Sequence, residues 1–195
     1  MSYGETPSQT VGPYFAYGLT PVQYGYDFTD LANHVVAGPE ATGEHIRIVG
    51  QVFDGNNALV GDAMIEIWQA DHAGHYTSEP VRMDNAGFRG LGRCGTGTDG
   101  DNRFIFHTIK PGCVADAAAP FVNVTVFMRG MLTHAFTRLY FADEANANAG
   151  CPVLQAVPQD RRDTLIAQRV DTPTGPEYRF DIHMQGECET VFFDI

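Results

Sequence analysis

From Glu44 onward the chain is written largely in a period of two, and that pattern commits it to β-structure. Tyr178, Phe180, Ile182 and Met184 alternate cleanly with Arg179, Asp181, His183 and Gln185. Successive side chains of a strand point to opposite faces, so such a segment buries one face and wets the other. Ile46, Ile48 and Val52 alternate with His45, Arg47 and Gln51, and Phe104 and Phe106 alternate with Ile105 and His107. Met64 to Ala70, Phe136 to Phe141 and Val191 to Ile195 read as further strands. Phe121 to Met128 is apolar on both faces except for Asn123 and Thr125, so it reads as a central strand covered on two sides. Asp54-Gly55-Asn56-Asn57 and Thr98-Asp99-Gly100-Asp101-Asn102 carry turn chemistry between strands. Only two stretches look helical, about Asp143 to Ala149 and about Gln159 to Gln168, the second with Pro158 at its start. The expectation is an all-β chain, an antiparallel β-sandwich of the transthyretin (prealbumin-like) type.

Residues 1–43 differ in kind. They hold Gly, Pro and Tyr with no sustained period, and Tyr14, Phe15, Tyr17, Tyr24, Tyr26 and Phe28 make them too aromatic for a flexible tail. They read as an ordered arm, packed on its own domain or on a partner, before a β-domain over 44–195. With 195 residues and 44% hydrophobic content the chain can build one real core. No apolar run approaches the ~20 residues of a membrane span. The opening Met1-Ser2-Tyr3-Gly4-Glu5 has no secretory character, so a cytoplasmic location is expected. A net charge of −12 without any cluster of Lys and Arg excludes nucleic acid as the natural partner. Cys94, Cys113, Cys151 and Cys188 form no CxxC pair and read as reduced thiols.

Two places stand out for chemistry. Arg129 follows the most apolar strand and precedes Gly130, where the chain must turn. A guanidinium there suits a carboxylate in a cleft, or it is a solvated strand end or an internal ion pair. Thr10-Val11-Gly12-Pro13-Tyr14 fixes a sharp bend, and Gly12 lets another group approach the backbone. The bend serves as a pocket wall or is only a bend. The seven histidines suggest no metal site by themselves. His72 and His75 fall in a glycine-containing loop, while His45, His107 and His183 fall on strand faces. There is no HExxH, GxSxG, P-loop or dinucleotide fingerprint, and Gly87, Gly90 and Gly92 read as loop flexibility.

An ordered series of short motifs runs through the chain: Gly50-Gln51-Val52-Phe53-Asp54-Gly55, Ile65-Glu66-Ile67-Trp68-Gln69-Ala70, Gly90-Leu91-Gly92-Arg93, Thr98-Asp99-Gly100 and Thr108-Ile109-Lys110-Pro111-Gly112. It continues through Arg138-Leu139-Tyr140-Phe141, Cys151-Pro152 and Tyr178-Arg179-Phe180-Asp181-Ile182. In that order the motifs resemble the intradiol ring-cleavage dioxygenases over nearly the whole chain. The resemblance implies a mononuclear non-haem Fe(III) held by two tyrosinates and two histidines, hard donors that suit the ferric ion. This sequence departs from that pattern at every ligand. No tyrosine lies between Tyr76 and Phe88, Lys110-Pro111-Gly112-Cys113 leads to Val114, and Pro120 leads to Phe121-Val122-Asn123-Val124 with no histidine.

One branch of the family pairs a metal-free alpha chain with a homologous iron-bearing beta chain, in a hetero-oligomer that opens the ring of 3,4-dihydroxybenzoate with O2. The resemblance implies that this chain is of the first kind: the Fe(III) sits in the partner and none is bound here. It further implies that Thr10, Gly12, Pro13, Tyr14 and Arg129 line the substrate pocket, and that the isolated chain is inactive. Two other readings stand beside it, a non-catalytic β-sandwich binding module and a self-sufficient dioxygenase for another catechol.

Overall fold

The structure is a computed structural model that describes residues 4, 7–28, 31–77, 86–114 and 119–194. Among the described residues nine strands carry the fold: β1 (His45–Phe53), β2 (Met64–Gln69), β3 (Leu91–Gly95), β4 (Arg103–Ile109), β5 (Phe121–Phe127), β6 (Ala135–Phe141), β7 (Ile166–Thr172), β8 (Gly175–Arg179) and β9 (Ile182–His183). Three short helices accompany them: α1 (Phe15–Leu19), α2 (Ala145–Gly150) and α3 (Pro152–Ala156). Among the described residues no helix is long and apolar enough to cross a membrane.

The architecture corrects the expected antiparallel sandwich. Eight strands follow one another in a single mixed sheet, β3-β2-β5-β6-β7-β8-β1-β4, with β9 alongside β1. The sheet curls into a nearly closed barrel. β1 runs antiparallel to β4 but parallel to β8 and β9, and β6 runs parallel to β7 through Tyr140↔Ile166 and Phe141↔Ala167. Alternation tells which face a side chain takes; it carries no information on strand direction or neighbour. Direction comes from the connections. The crossover between β6 and β7 holds α2, α3 and 3-10 turns at Ala142–Glu144 and Gln159–Leu165, which return the chain to the end where β6 began.

The sequence around 159–168 therefore ends in a strand rather than a helix. The expected terminal strand reduces to one bridge, Phe193 to Phe136, with residue 195 outside the described residues. Both turn signals form turns. Asp54 accepts the amides of Asn56 and Ala58 at 2.8 and 2.9 Å. Asp99 accepts those of Asp101 and Arg103 at 3.0 and 3.3 Å.

The inward face is the core. Ile46, Ile48 and Val52 of β1 meet Ile65, Ile67, Phe104, Phe106, Val122, Val124 and Val126, all buried. A second cluster lies under the crossover, where Cys151, Leu154, Val157 and Leu165 pack on Phe121 and Tyr140. All four cysteines are free thiols.

The first and last strands, β3 and β4, would leave raw edges, which invite pairing with other chains. The segment before β1 closes that seam. The Arg93 amide donates to the Asn33 carbonyl at 3.0 Å, and the His107 amide donates to that of His34 at 2.9 Å. The Val36 and Ala37 amides in turn donate to the His107 carbonyl at 2.8 and 3.1 Å. Between the two edges the Ile105 amide donates to the Cys94 sulfur at 3.3 Å. A side chain at Gly92 would strike Val36 and the Asn33 carbonyl. Glycine in β3 therefore permits close packing, where the sequence suggested only loop flexibility.

Candidate functional site

The bend at Thr10–Tyr14 and the turn at Arg129 lie together. The Gly130 amide donates to the Thr10 hydroxyl at 3.0 Å, across 120 positions of sequence. Gly130 has φ +89, the left-handed conformation that glycine takes at little cost, and this sharpens the turn between β5 and β6. Past the bend, the Phe15 amide donates to the Gly12 carbonyl at 3.3 Å and α1 begins. Gly12 and Pro13 are exposed, and the Tyr14 ring is 79% exposed. Arg129 reaches Asp62 at 3.6 Å, with the two side chains 57% and 47% exposed. A pair that open is a weak tether, on the order of 0–1 kcal/mol, and leaves the guanidinium free to meet another anion.

Tyrosines extend the surface. Tyr14 lies 6.0 Å from Tyr17, whose ring lies 4.5 Å from Tyr24. Burial raises the Tyr24 phenol's pKa, and Tyr17 and Asp62 add to the shift. The bend is anchored through Gln23. The Gly95 amide donates to its Oε1 at 2.7 Å, and its Nε2 donates to the Gly95 carbonyl at 3.3 Å. Beside the turn lies a cleft of about 240 Å³ walled by Val11, Phe127, Met131, Leu132 and His134.

The positions where the resemblance would put iron lie elsewhere, toward the other end of β5. The Asn123 side-chain Nδ2 donates to the Tyr76 hydroxyl at 3.2 Å, the Tyr76 ring lies 4.9 Å from Trp68, and Val114 is exposed. An amide, one hydrogen-bonded phenol and a hydrocarbon do not make the anionic donor set that ferric iron needs. Among the described residues no three of His, Cys, Asp or Glu cluster so as to hold a metal. Residues 78–85, where one family tyrosine would fall, lie outside the described residues, and their sequence contains none.

A charged knot near Lys110 also proves structural. Its ammonium meets Asp143 at 2.7 Å and Glu144 at 2.6 Å, and the Tyr178 hydroxyl donates to Asp143 at 2.9 Å. Burial alone would lower the ammonium's pKa, but the two carboxylates outweigh it and the net shift is upward. His72 and His75 are exposed in their loop, His75 being 3.8 Å from Asp71. His45 bonds the Ala41 carbonyl at 2.9 Å.

The family model described as dioxygenase matches residues 11–186. The chain belongs to this dioxygenase family. This dioxygenase chain is 57% identical to a protocatechuate 3,4-dioxygenase alpha chain of Burkholderia cepacia, over 98% of each chain. It is 31% identical to the protocatechuate 3,4-dioxygenase beta chain of the same organism, over 83% of this chain and 73% of that one. Its fold is similar to that of a dioxygenase domain from Streptomyces sp. SirexAA-E. The TM-score there is 0.56 and the identity 22%, over 96% of this chain and all of that one.

Asp62 had no signal in the sequence, because nothing local marks its approach to Arg129. The half-exposed Trp68 had one: the single tryptophan of the chain alternates onto the same strand face as the charged Glu66.

Proposed function

We propose that this chain is the metal-free alpha subunit of a protocatechuate 3,4-dioxygenase. In that role it completes the pocket of a homologous iron-bearing beta chain that opens the ring of 3,4-dihydroxybenzoate with O2 to give 3-carboxy-cis,cis-muconate. The observation that carries the reading is the Thr10–Gly130 hydrogen bond. It joins the arm bend and the arginine turn into one exposed, preorganised surface. The near-full-length similarity to an alpha chain and the weaker similarity to a beta chain support the pairing.

In this reading ring opening belongs to the partner's iron, and this chain supplies walls and charge. Gly12, Pro13 and Tyr14 close one side of the pocket and keep water out. Thr10 fixes the bend to the turn. Arg129 faces the carboxylate of the substrate, which its weak tether to Asp62 allows. The bend at residues 10–14 is the part of the arm that reaches the partner, while residues 33–37 tie the arm to the barrel that carries it.

The test is Arg129→Ala, assembled with the beta chain. A lost charged hydrogen bond of about 1–3 kcal/mol raises KM for 3,4-dihydroxybenzoate roughly 5- to 150-fold. KM for plain catechol, which has no carboxylate, stays put. Unchanged KM for the acid removes Arg129 from the site. Iron recovered with this chain rather than with its partner, after the two are separated, removes the metal-free assignment.

A further inference from the structure

We propose that Gln23 is a positioning residue for the ring-opening reaction: its side-chain amide clamps the segment behind the bend to the barrel and so sets where the Gly12–Pro13 wall stands. The inference rests on the function proposed above and adds what aims that wall.

The segment from the bend to Gly25 does little to hold itself. Its helix α1 has five residues and no side-chain cap at its start. A helix that short is not stable by itself in water. Of residues 15–24 only Ala16, Thr20 and Pro21 are buried, while Tyr17 and Val22 stand 41% and 49% exposed.

Gln23 supplies the fixed point. Its Oε1 accepts the Gly95 amide at 2.7 Å. Its Nε2 donates to the Gly95 carbonyl at 3.3 Å and to the Thr98 hydroxyl at 3.2 Å. One side-chain amide thus answers both main-chain groups of Gly95, as a neighbouring strand would at that edge of β3. Tyr24 lies against the same hairpin, for a side chain at Gly97 would come within 2.8 Å of its hydroxyl. Rings carry the placement forward: Tyr24 packs on Tyr17 at 4.5 Å, and Tyr17 lies 6.0 Å from Tyr14 in the bend.

Sheet register relates that fixed point to Arg129. Gly95 of β3 stands opposite Met64 of β2, and Met64 stands opposite Phe127 of β5. Two strand spacings of about 4.8 Å therefore separate Gly95 from Phe127. Arg129 follows Phe127 by two residues, and Thr10 is bonded to Gly130 beyond it. The chain from Thr10 to Gln23 is held at both ends by one hydrogen-bonded sheet, with Gly12, Pro13 and Tyr14 presented between. Without the Gln23 end, one hydroxyl bond at Thr10 must place the wall. A wall misplaced by about 1 Å costs turnover tenfold or more.

The test uses the assembled enzyme. Gln23→Met keeps the length of the side chain and removes its amide. We expect kcat to fall about tenfold or more on 3,4-dihydroxybenzoate and on catechol alike, because the wall serves both. The ratio of the two KM values should stay at the wild-type figure, because Arg129 is untouched. Hydrogen exchange resolved to single amides should show Gly95 protected in wild type and exchanging about tenfold faster or more in the variant. The His107 amide, bonded in the seam, should not change. A merely structural Gln23 would lower Tm and leave kcat alone. Wild-type kcat, a loss confined to the acid, or equal Gly95 exchange in both proteins overturns the inference. If Gln23→Met fails to assemble, Gln23→Asn, whose amide stops one methylene short of Gly95, is judged by the same criteria. Wild-type kcat beside an Arg129-dependent KM removes the clamp and leaves the proposed function standing. An unchanged KM in Arg129→Ala removes both.

Discussion

Two stretches of the segment before β1 use their backbone in opposite ways. Residues 33–37 are drawn into the barrel seam, with their carbonyls and amides bonded to both edge strands. Residues 10–14 touch the barrel through the Thr10 hydroxyl and leave Gly12, Pro13 and Tyr14 facing outward. Two glycines, one packed against the first stretch and one within the second, make the point. Gly92, against the seam, has no room for a methyl group; Gly12, in the bend, has nothing within 4 Å of where one would go. The first glycine answers to this chain's own packing. The second has no such packing reason, and the proposed function gives it one as part of a surface that meets a partner.

The sharpest way to break the comparison is to add one methyl at each place. Gly92→Ala drives a carbon into Val36 and the Asn33 carbonyl, with the Phe106 ring 3.1 Å away. Overpacking of that kind costs about 1–3 kcal/mol and drops Tm by several degrees in the assembled protein. A Tm within a degree of wild type would mean that the seam adjusts freely. Gly12→Ala should leave Tm unchanged, because its backbone is not left-handed and its surroundings are empty. Turnover of the assembled enzyme should nonetheless fall about tenfold or more, since a misplacement of about 1 Å at a pocket wall has effects of that order. Equal stability with equal turnover would place the bend outside the pocket.

Cys94 reports on the seam from inside. Its sulfur accepts the Ile105 amide at 3.3 Å, and burial pushes its thiol pKa up to about 11. The native thiol is therefore unreactive toward Ellman's reagent at pH 8, whereas the exposed Cys113 and Cys188 react in the bare chain. Unfolding restores an ordinary thiol, which loses its proton more readily than the buried one. The seam's contribution to stability is thus full below about pH 9 and declines between about 9 and 11. A Cys94→Ser variant should lose the part of the alkaline decline that this thiol causes. Rapid labelling of Cys94 in the wild-type protein would show that the seam opens.

What could be read in advance follows from the same contrast. The alternation in β1 and β4, the apolar run of β5 and the turns at Asp54 and Asp99 are local, and they were legible. β7 was not: among its residues only Ala167 is fully buried, so no period of two survives, and Pro158 made the stretch before it resemble a helix start. β3 was hidden because Gly92 serves the seam, a contact with Val36 that sequence spacing does not reveal. Parallel pairing and barrel closure depend on where the chain re-enters, which local chemistry does not encode. At the site, Arg129 and the Gly12–Pro13 bend were visible as unusual residues, but their contact spans 120 positions and was not. Asp62 comes beside Arg129 only once β2 and β5 pair, which brings the segment before β2 to the turn after β5.

The smallest expected effect concerns that pairing and sharpens the outward half of the comparison. Asp62 sits 3.6 Å from Arg129, both well exposed, so the pair contributes only about 0–1 kcal/mol to folding. Its influence on an anionic substrate is of similar size and of predictable sign. A carboxylate beside the guanidinium repels the incoming acid and competes for the same N–H groups. Asp62→Asn removes the charge and keeps the shape, so KM for 3,4-dihydroxybenzoate should fall roughly two- to fivefold, the range of a surface charge pair. KM for catechol should not move, and Tm should stay within about a degree. If KM for the acid rises instead, Asp62 aims the guanidinium more than it competes for it, and the bend–turn surface is held by two tethers, Thr10 and Asp62, rather than one.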